Sequence, residues 1–198
     1  MQLLAEHWQT EQAIMKKEIK NLSSNLQHIK DIISTQQNLS KLTGVEHVIS
    51  LGSMIEEALL ISGLDLGDHH IRVEKKYENK TIVSDKVKLL QILVNLLRNA
   101  KESLMSSADL NKILIIKLTI KNNKLILQII DNGVGVPPEN VSKLFTYGFT
   151  TKENGHGFGL HMCAITAKEM GGTIYLAEMS RFKKGANFTL ELPYKPSL

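Results

Sequence analysis

The most informative stretch of this chain is DNGVGVP at Asp131–Pro137, which is followed by TTKENGHGFGL at Thr150–Leu160. Upstream, at Gln91–Ala100, the chain reads QILVNLLRNA, in which Asn95 and Asn99 lie one helical turn apart. Each of these pieces is common by itself. In this order they predict a nucleotide site made of a helix face with two amides, an acidic residue in a glycine turn, and a glycine-rich lid.

The acidic residue of the glycine turn suits adenine. We expect Asp131 at the end of a strand, where its carboxylate can accept a hydrogen bond from the exocyclic amine of adenine. Guanine carries a carbonyl at that place and could not donate the bond. Gly133 and Gly135 allow backbone angles and a close approach that a Cβ would forbid. Taken alone, DNG is also an ordinary turn, so its position between the other two motifs is what favours the binding site.

The two asparagines are amides on an otherwise leucine-rich helix. Unpaired amides among leucines are costly, which argues against a merely incidental placement. An amide oxygen is a good ligand for Mg²⁺, which commonly takes one protein oxygen together with phosphates and waters. Asn95 and Asn99 are therefore candidate site residues.

The segment Thr150–Leu160 contains few apolar side chains to hold it down, which is typical of a mobile lid. Lys152 can reach the phosphates as the lid closes, and glycine backbone amides at a helix N-terminus can bind phosphate. GHGFG does not follow an apolar strand, so it does not indicate a Rossmann site, and the chain contains no P-loop motif. The predicted lid contacts are Thr151, Lys152, Gly155, His156, Gly157, Phe158, Gly159 and Leu160.

This ordered set of motifs resembles the Bergerat-type (GHKL) ATP-binding domain shared by sensor histidine kinases, Hsp90, gyrase and MutL. The resemblance covers about Ser50 to Pro193 and implies that ATP and Mg²⁺ bind, with Asn99 as the metal ligand. Asn95 takes the place where gyrase-like members carry a catalytic glutamate. An amide cannot act as a general base, which points away from a fast hydrolase. In a kinase, Asn95 and Lys152 would then be the catalytic side chains of the domain.

Hydrophobic periodicity predicts an α+β fold over residues 45–198. Because the helices interleave with strands and the long strands form hairpins, we expect a sandwich in which helices cover one face of a mixed sheet. Asp85 is the expected cap of the longest helix. The predicted helices are 53–62, 86–106, 137–144 and 160–170, and the predicted strands are 71–77, 81–84, 113–120, 125–130, 173–177 and 186–192.

The chain before Gly44 contains neither proline nor glycine. Its apolar residues recur at alternating spacings of four and three, a period typical of coiled coils. Residues 1–44 are therefore expected to form a long helical stem that pairs in a parallel homodimer. A single amphipathic helix lying on its own domain is the alternative. The residues of this seam are Met15, Ile19, Leu22, Leu26, Ile29 and Ile33.

His28, beside this seam, is the candidate phosphoacceptor, because imidazole is a competent phosphoryl acceptor. Its local sequence, HIKDII, lacks the acidic residue and the proline that usually follow the histidine of such kinases. The segment between His28 and residue 45 is also too short for the second helix of the usual dimerisation hairpin. The resemblance is therefore to an atypical branch with a short HIKDI stem and an HGFGLH lid. A solvated stem histidine is the alternative interpretation of His28.

The leading functional hypothesis is the histidine kinase core of a two-component system. It would bind MgATP, phosphorylate His28 across a dimer and pass the phosphoryl group to the receiver domain of a response regulator. One alternative is a slow ATPase or an ATP-driven conformational switch. Another is a degenerate kinase that docks a regulator through its stem.

Composition excludes some other classes. The net charge of +4 is small and the basic residues are scattered, so we expect no nucleic-acid partner. A single cysteine, Cys163, excludes an internal disulfide and fits a reducing compartment. No apolar run is long enough to span a membrane, so this chain is expected to make no membrane contact itself. It would be cytoplasmic, alone or as the cytoplasmic part of a longer membrane-anchored receptor.

Overall fold

The computed structural model describes residues 45–64, 71–152, 155, 157–178, 182 and 184–196, together with Glu11 and Met15. The chain divides into two units, residues 1–43 and 44–198, and the second unit contains the sheet. The stem helix, its dimer seam and His28 lie outside the described residues, apart from Glu11 and Met15, which are helical. The coiled coil and the functional division into stem and ATP-binding domain therefore stay predictions.

Strands and helices are interspersed along the second unit. The strands are β1 (His47–Ser50), β2 (Ile71–Lys76), β3 (Thr81–Ser84), β4 (Lys112–Lys121), β5 (Lys124–Asp131), β6 (Thr173–Leu176) and β7 (Ala186–Pro193). The helices are α1 (Leu51–Ile61), α2 (Lys86–Met105), α3 (Pro138–Val141) and α4 (Gly159–Glu169). In the described part of the chain, no helix combines the length and the apolar character that a membrane span requires.

Five of the strands form one mixed sheet in the order β2-β4-β5-β7-β6. β2 runs parallel to β4, and the other neighbours are antiparallel. The β4–β5 hairpin turns at Asn122 and Asn123, both with positive φ, as a tight two-residue hairpin requires. The predicted α+β class is confirmed.

The core lies between the helices and one face of the sheet. Alternate residues of β5 point into it, namely Leu125, Leu127 and Ile129, followed by Asp131. α2 faces them with several fully buried side chains, including Ile92 and Leu96. This long helix is therefore the element against which the strand that carries Asp131 is packed.

The structure differs from the sequence-based prediction at three short elements. β1 was not predicted, because its four residues are a strand only through pairing with β3, a non-local contact. α1 begins before the predicted Ser53, since Ser50 accepts a bond from the Ser53 N–H and caps the helix. α3 ends at Val141 rather than at Leu144, and the chain continues in turns.

Both ends of α2 are held by polar contacts. At its start, Asp85 Oδ1 accepts hydrogen bonds from the N–H groups of Val87 and Lys88, each at 3.1 Å. This confirms the predicted cap. Towards its end, Lys101 Nζ donates to the Gly63 carbonyl at 2.7 Å. The position of the helix face that carries Asn95 and Asn99 therefore depends in part on these terminal contacts, in addition to the core packing of the helix.

Loss of the Asp85 cap tests this dependence. Asp85→Ala leaves two helix N–H groups without their acceptor and is expected to lower the free energy of unfolding by about 1–2 kcal/mol. Asp85→Asn keeps a side-chain oxygen and should cost much less. Urea denaturation of both variants measures the difference. Equal losses for alanine and asparagine would contradict a capping role.

Candidate nucleotide site

Asp131 is the last residue of β5, and its side chain is 1% exposed. Its Oδ1 accepts two hydrogen bonds of 2.9 Å, one from the Ser103 hydroxyl and one from the Gly133 N–H. Ala186, the residue of β7 that pairs with Asp131, lies close enough to the carboxylate to lower its pKa. Donors from α2 and from the glycine turn therefore converge on a single carboxylate beside β7.

Burial raises the pKa of Asp131 to about 6, and the hydrogen bonds from Gly133 and Ser103, together with the nearby Ala186 backbone, lower it only in part. The group is thus ionised at neutral pH but poorly hydrated. A carboxylate can accept about four hydrogen bonds, so the bonds from Ser103 and Gly133 leave capacity for a further donor. An amine donor at this place would gain from the low local dielectric.

The glycine turn after β5 is packed tightly. A Cβ on Gly133 would collide with the Ser103 backbone, and the Val134 N–H donates to the Ser103 carbonyl at 3.2 Å. Gly135 has φ +75°, and a Cβ there would lie 2.8 Å from the Gly185 carbonyl oxygen. Both predicted glycines are therefore required by protein packing, whatever they contribute to a ligand.

Sequence reasoning missed two residues of this arrangement. Ser103 reads as an ordinary polar residue near a helix end, and nothing local indicates that it meets Asp131. Gly185 has φ +123°, and a Cβ on it would collide with the Asp131 carbonyl oxygen. Only its place just before the strand pattern of β7 could have drawn attention to it.

Asn95 faces the start of α4. Its Oδ1 lies 3.7 Å from the position that a Cβ on Gly159 would take, and its side chain lies beside the Cys163 thiol. Burial raises the pKa of the Cys163 thiol to about 12, so this cysteine is a packed side chain and not a nucleophile. The amide of Asn95 is thus held beside the first turn of α4.

Asn99, one turn further along α2, contacts the lid. Its Oδ1 accepts a hydrogen bond of 2.9 Å from Lys152 Nζ, and the same ammonium forms an ion pair with Glu102. The structure thereby brings together two predicted site residues from distant parts of the sequence. Glu102 was not among the predicted residues, because a glutamate on a helix usually indicates a solvated face.

The described part of the lid before α4, here called the lid base, comprises Thr150–Lys152, Gly155 and Gly157, and it is held by hydrogen bonds within itself. The Lys152 N–H donates to Thr150 Oγ1 at 3.1 Å, and the Gly155 N–H donates to the Lys152 carbonyl at 3.1 Å. Thr151 is exposed, and His156 lies outside the described residues. A Cβ on Gly157, which has φ +70°, would collide with the backbone at Gly148. The lid base therefore crosses the preceding segment at close range.

Aromatic rings pack together where the lid joins α4. The Tyr147 ring lies 4.7 Å from the Phe158 ring and meets His161 edge-on at 5.5 Å. His161 Nδ1 is hydrogen-bonded to the Phe145 carbonyl at 2.9 Å. Phe158 thus packs against protein, a role that the sequence did not indicate.

The N-terminus of α4, at Gly159 and Leu160, has the features of a phosphate site. Phe158 precedes the helix and makes no side-chain capping hydrogen bond to it. The first N–H groups of a helix lack intrahelical acceptors and carry the positive end of the helix dipole. They can therefore bind an anion.

The donor set also fits a divalent cation. The amide oxygen of Asn99 and the carboxylate of Glu102 already accept one cation, the ammonium of Lys152. Amide and carboxylate oxygens are the ligands that Mg²⁺ takes in proteins. The side chains at this face of α2 thus fit both a nucleotide and its metal.

Comparison with known proteins agrees with this geometry. Residues 84–196 match the family described as histidine kinase-, DNA gyrase B- and HSP90-like ATPases. The chain belongs to this family. Its second unit is a catalytic domain of the histidine kinase type, as the resemblance of the motifs predicted.

Three relatives show how far the similarity extends. Sensor protein CitS of Halalkalibacterium halodurans is 39% identical over 106 residues, which are 53% of this chain and 19% of CitS. Sporulation kinase D of Bacillus subtilis is 28% identical over 206 residues, 100% of this chain and 38% of the kinase. The nucleotide-free catalytic domain of the histidine kinase ThkA is 26% identical with a TM-score of 0.64, over 76% of this chain and 99% of that domain. The chain thus spans well under half the length of these two curated relatives.

The environment of Asp131 in this kinase-type domain predicts a pH-dependent stability. The carboxyl has a higher pKa in the native state than in the unfolded state, so between pH 3.8 and about 6 the native state binds more protons than the unfolded state. The free energy of unfolding therefore falls as pH rises through that window. Asp131→Asn removes the titrating group. Relative to wild type, its free energy of unfolding should rise by on the order of 2 kcal/mol between about pH 4 and about pH 7.

Urea denaturation across this range measures the effect. Asp109→Asn, the same substitution on an exposed loop, is the matched control and should track wild type. A difference between Asp131→Asn and wild type that does not change with pH would show that the carboxyl titrates normally in the native state.

Proposed function

We propose that this chain binds MgATP and transfers the γ-phosphate to a histidine, as the kinase core of a two-component system. The observation that carries the proposal is the order of contacts along α2. Asn95 meets the start of α4, Asn99 meets the lid lysine, and Ser103 meets Asp131. A nucleotide laid along this helix would have its base at the Asp131 end and its phosphates at the α4 end.

In this proposal, Asp131 accepts a hydrogen bond from the adenine amine. Ser103 and Gly133 hold the carboxylate in place for that bond. A base without the exocyclic amine leaves the remaining hydrogen-bonding capacity of this buried carboxylate unfilled, which is costly. Selection of adenine therefore rests on this one carboxylate.

At the other end, the N–H groups of Gly159 and Leu160 and the ammonium of Lys152 hold the phosphates. Asn99 holds Mg²⁺, which when bound neutralises charge on the transferring phosphoryl group. As the bond from the γ-phosphorus to the ADP oxygen breaks, a bond to an imidazole nitrogen forms, and ADP leaves. Little covalent chemistry is required of the domain itself, because positioning and charge neutralisation suffice.

Asn95 favours transfer to a protein over hydrolysis. Its amide, held beside Gly159 and Cys163, can orient a phosphate oxygen or a water by hydrogen bonds. It cannot take a proton from an attacking water. This supports a kinase above the alternative of an ATPase or a purely conformational switch.

The acceptor and the partners are proposed from the sequence. His28 is the candidate phosphoacceptor, in a homodimer formed through the N-terminal helix, and a receiver domain of a response regulator would take the phosphoryl group onward. The relatives named as a sensor protein and a sporulation kinase support this placement in signalling.

The adenine contact is tested by Asp131→Asn, which places an amide where the proposal needs a carboxylate. ATP affinity measured by calorimetry should fall at least about tenfold, as expected for loss of a charged hydrogen bond in a buried site. Asp109→Asn should bind ATP as wild type does. An undiminished affinity in a folded Asp131→Asn protein would remove Asp131 from the site.

Phosphoryl transfer is tested by incubating the full chain with γ-labelled MgATP. We expect label that is acid-labile and base-stable, that is lost in His28→Ala, and that is retained in His47→Ala, a substitution of an exposed histidine on β1. Label that persists in His28→Ala would identify a different acceptor. Absence of label, with ATP binding confirmed alongside, would contradict autophosphorylation of this chain and leave the conformational switch.

A further inference from the structure

Lys152 binds to two oxygens on one face of α2. Its Nζ lies 2.9 Å from Asn99 Oδ1 and forms an ion pair with the Glu102 carboxylate. Residues spaced three apart on a helix are neighbours on its surface, so the amide and the carboxylate form one compact oxygen pair. The cation that fills this pair comes from the lid.

The same oxygen pair suits a divalent metal ion. Mg²⁺ and Mn²⁺ prefer carboxylate and amide oxygens, and a site with one carboxylate attracts such an ion more strongly than Asn99 alone. An ammonium and a divalent cation on the same two oxygens would lie within a few ångströms of each other and repel. Occupation by Lys152 and occupation by a metal ion therefore exclude one another.

We propose that Asn99 and Glu102 form a cation site which Lys152 fills in this structure and which Mg²⁺ takes over when it arrives with ATP. The exchange releases Lys152, and with it the lid base, to contact the phosphates. Glu102 thereby becomes the second protein residue of the metal site. This inference rests on the proposed binding of MgATP for the identity of the incoming complex, but not for the existence of the oxygen pair.

The exchange is energetically easy. Both side chains of the ion pair are about half exposed, 49% for Lys152 and 54% for Glu102. Exposed ion pairs are weak, so a divalent ion competes with the lysine without a large cost. The hydrogen bonds of the Lys152 backbone to Thr150 and Gly155 do not involve its ammonium, so the side chain can leave before the lid backbone moves.

A second lysine–glutamate pair provides a matched control. Lys88 Nζ lies 2.7 Å from Glu169, and this pair also joins α2 to another part of the domain. Lys88 is less exposed than Lys152, at 24%. It forms an ion pair of the same chemistry at a different place on the domain.

The test uses Mn²⁺ alone as the probe, with the full chain free of nucleotide, and measures free Mn²⁺ by electron paramagnetic resonance. Lys152→Ala removes the competing cation and should bind Mn²⁺ about two- to fivefold tighter than wild type, the range set by the strength of exposed ion pairs. Glu102→Gln should bind it more weakly. Adding Lys152→Ala to Glu102→Gln should not restore tight binding, and Lys88→Ala and Glu169→Gln should match wild type.

The decisive result is that Mn²⁺ affinity rises in Lys152→Ala and falls in Glu102→Gln, because loss of a merely structural ion pair would not change the affinity in opposite directions. Loss of affinity in both variants, no change in either, or no Mn²⁺ binding by Lys152→Ala would overturn the proposal. These outcomes are independent of ATP. If the chain fails to bind ATP but the two variants change Mn²⁺ affinity in opposite directions, the cation site is supported and the proposed kinase function is refuted.

A calorimetric titration of ATP extends the test to the loaded site. Glu102→Gln should weaken binding of MgATP, yet leave binding of metal-free ATP in EDTA equal to wild type or tighter, since Lys152 is then released to the phosphates. A Glu102→Gln protein in which both affinities fall together would overturn the exchange and indicate damage to the nucleotide site as a whole.

Discussion

A buried carboxylate at the end of a strand is the constraint on which this domain depends. Asp131 is almost fully enclosed, and an ionised group in such a place must be hydrogen-bonded. Its donors come from α2 and from the following turn, and Ala186 of β7 pairs with it, so these three segments meet at one charge. The glycines around it follow from the same requirement, because Cβ atoms on Gly133 or Gly185 would push these segments apart.

The helix that supplies the Ser103 donor also organises the rest of the site. α2 is packed into the core along one side, and its remaining face presents Asn95, Asn99 and Ser103 in successive turns. Each meets a different part of the site: the start of α4, the lid lysine, and the strand that ends at Asp131. The spacing of the proposed base, phosphate and metal contacts is thereby set by the rise of a single helix. Among the described residues, Lys152 ties the lid to this helix by exposed contacts, which suit a part that must move when a ligand enters.

At Asp131, the side chain that the proposed function needs is not the one that would stabilise the fold most. Burial raises the pKa of Asp131 because the charged form is poorly solvated. A neutral side chain there would relieve that cost, yet would lack the acceptor that adenine requires. Lys152 and Glu102, in contrast, are about half exposed and form a weak ion pair. In the proposed exchange a metal ion replaces Lys152 at Glu102, and phosphates replace Glu102 at Lys152. Buried hydrogen bonds thus hold the proposed base end of the site, and exposed, exchangeable contacts hold the proposed phosphate end.

Much of this domain is readable from sequence, because its signals are local. The alternation of apolar residues in β4 and β5, the Asp85 cap and the ordered motifs around Asn99, Asp131 and Gly157 predicted the mixed sheet, the long helix and the family. Only the tertiary structure decided that β1 is a strand, that Ser103 and Gly185 belong with Asp131, and that Lys152 lies on Asn99 and Glu102. These are contacts between residues far apart in the chain, and no periodicity or local propensity encodes the partner of a side chain across such a distance. The sequence alone therefore determined which residues could form a nucleotide site, and the packing of α2 against the sheet decided which of them meet.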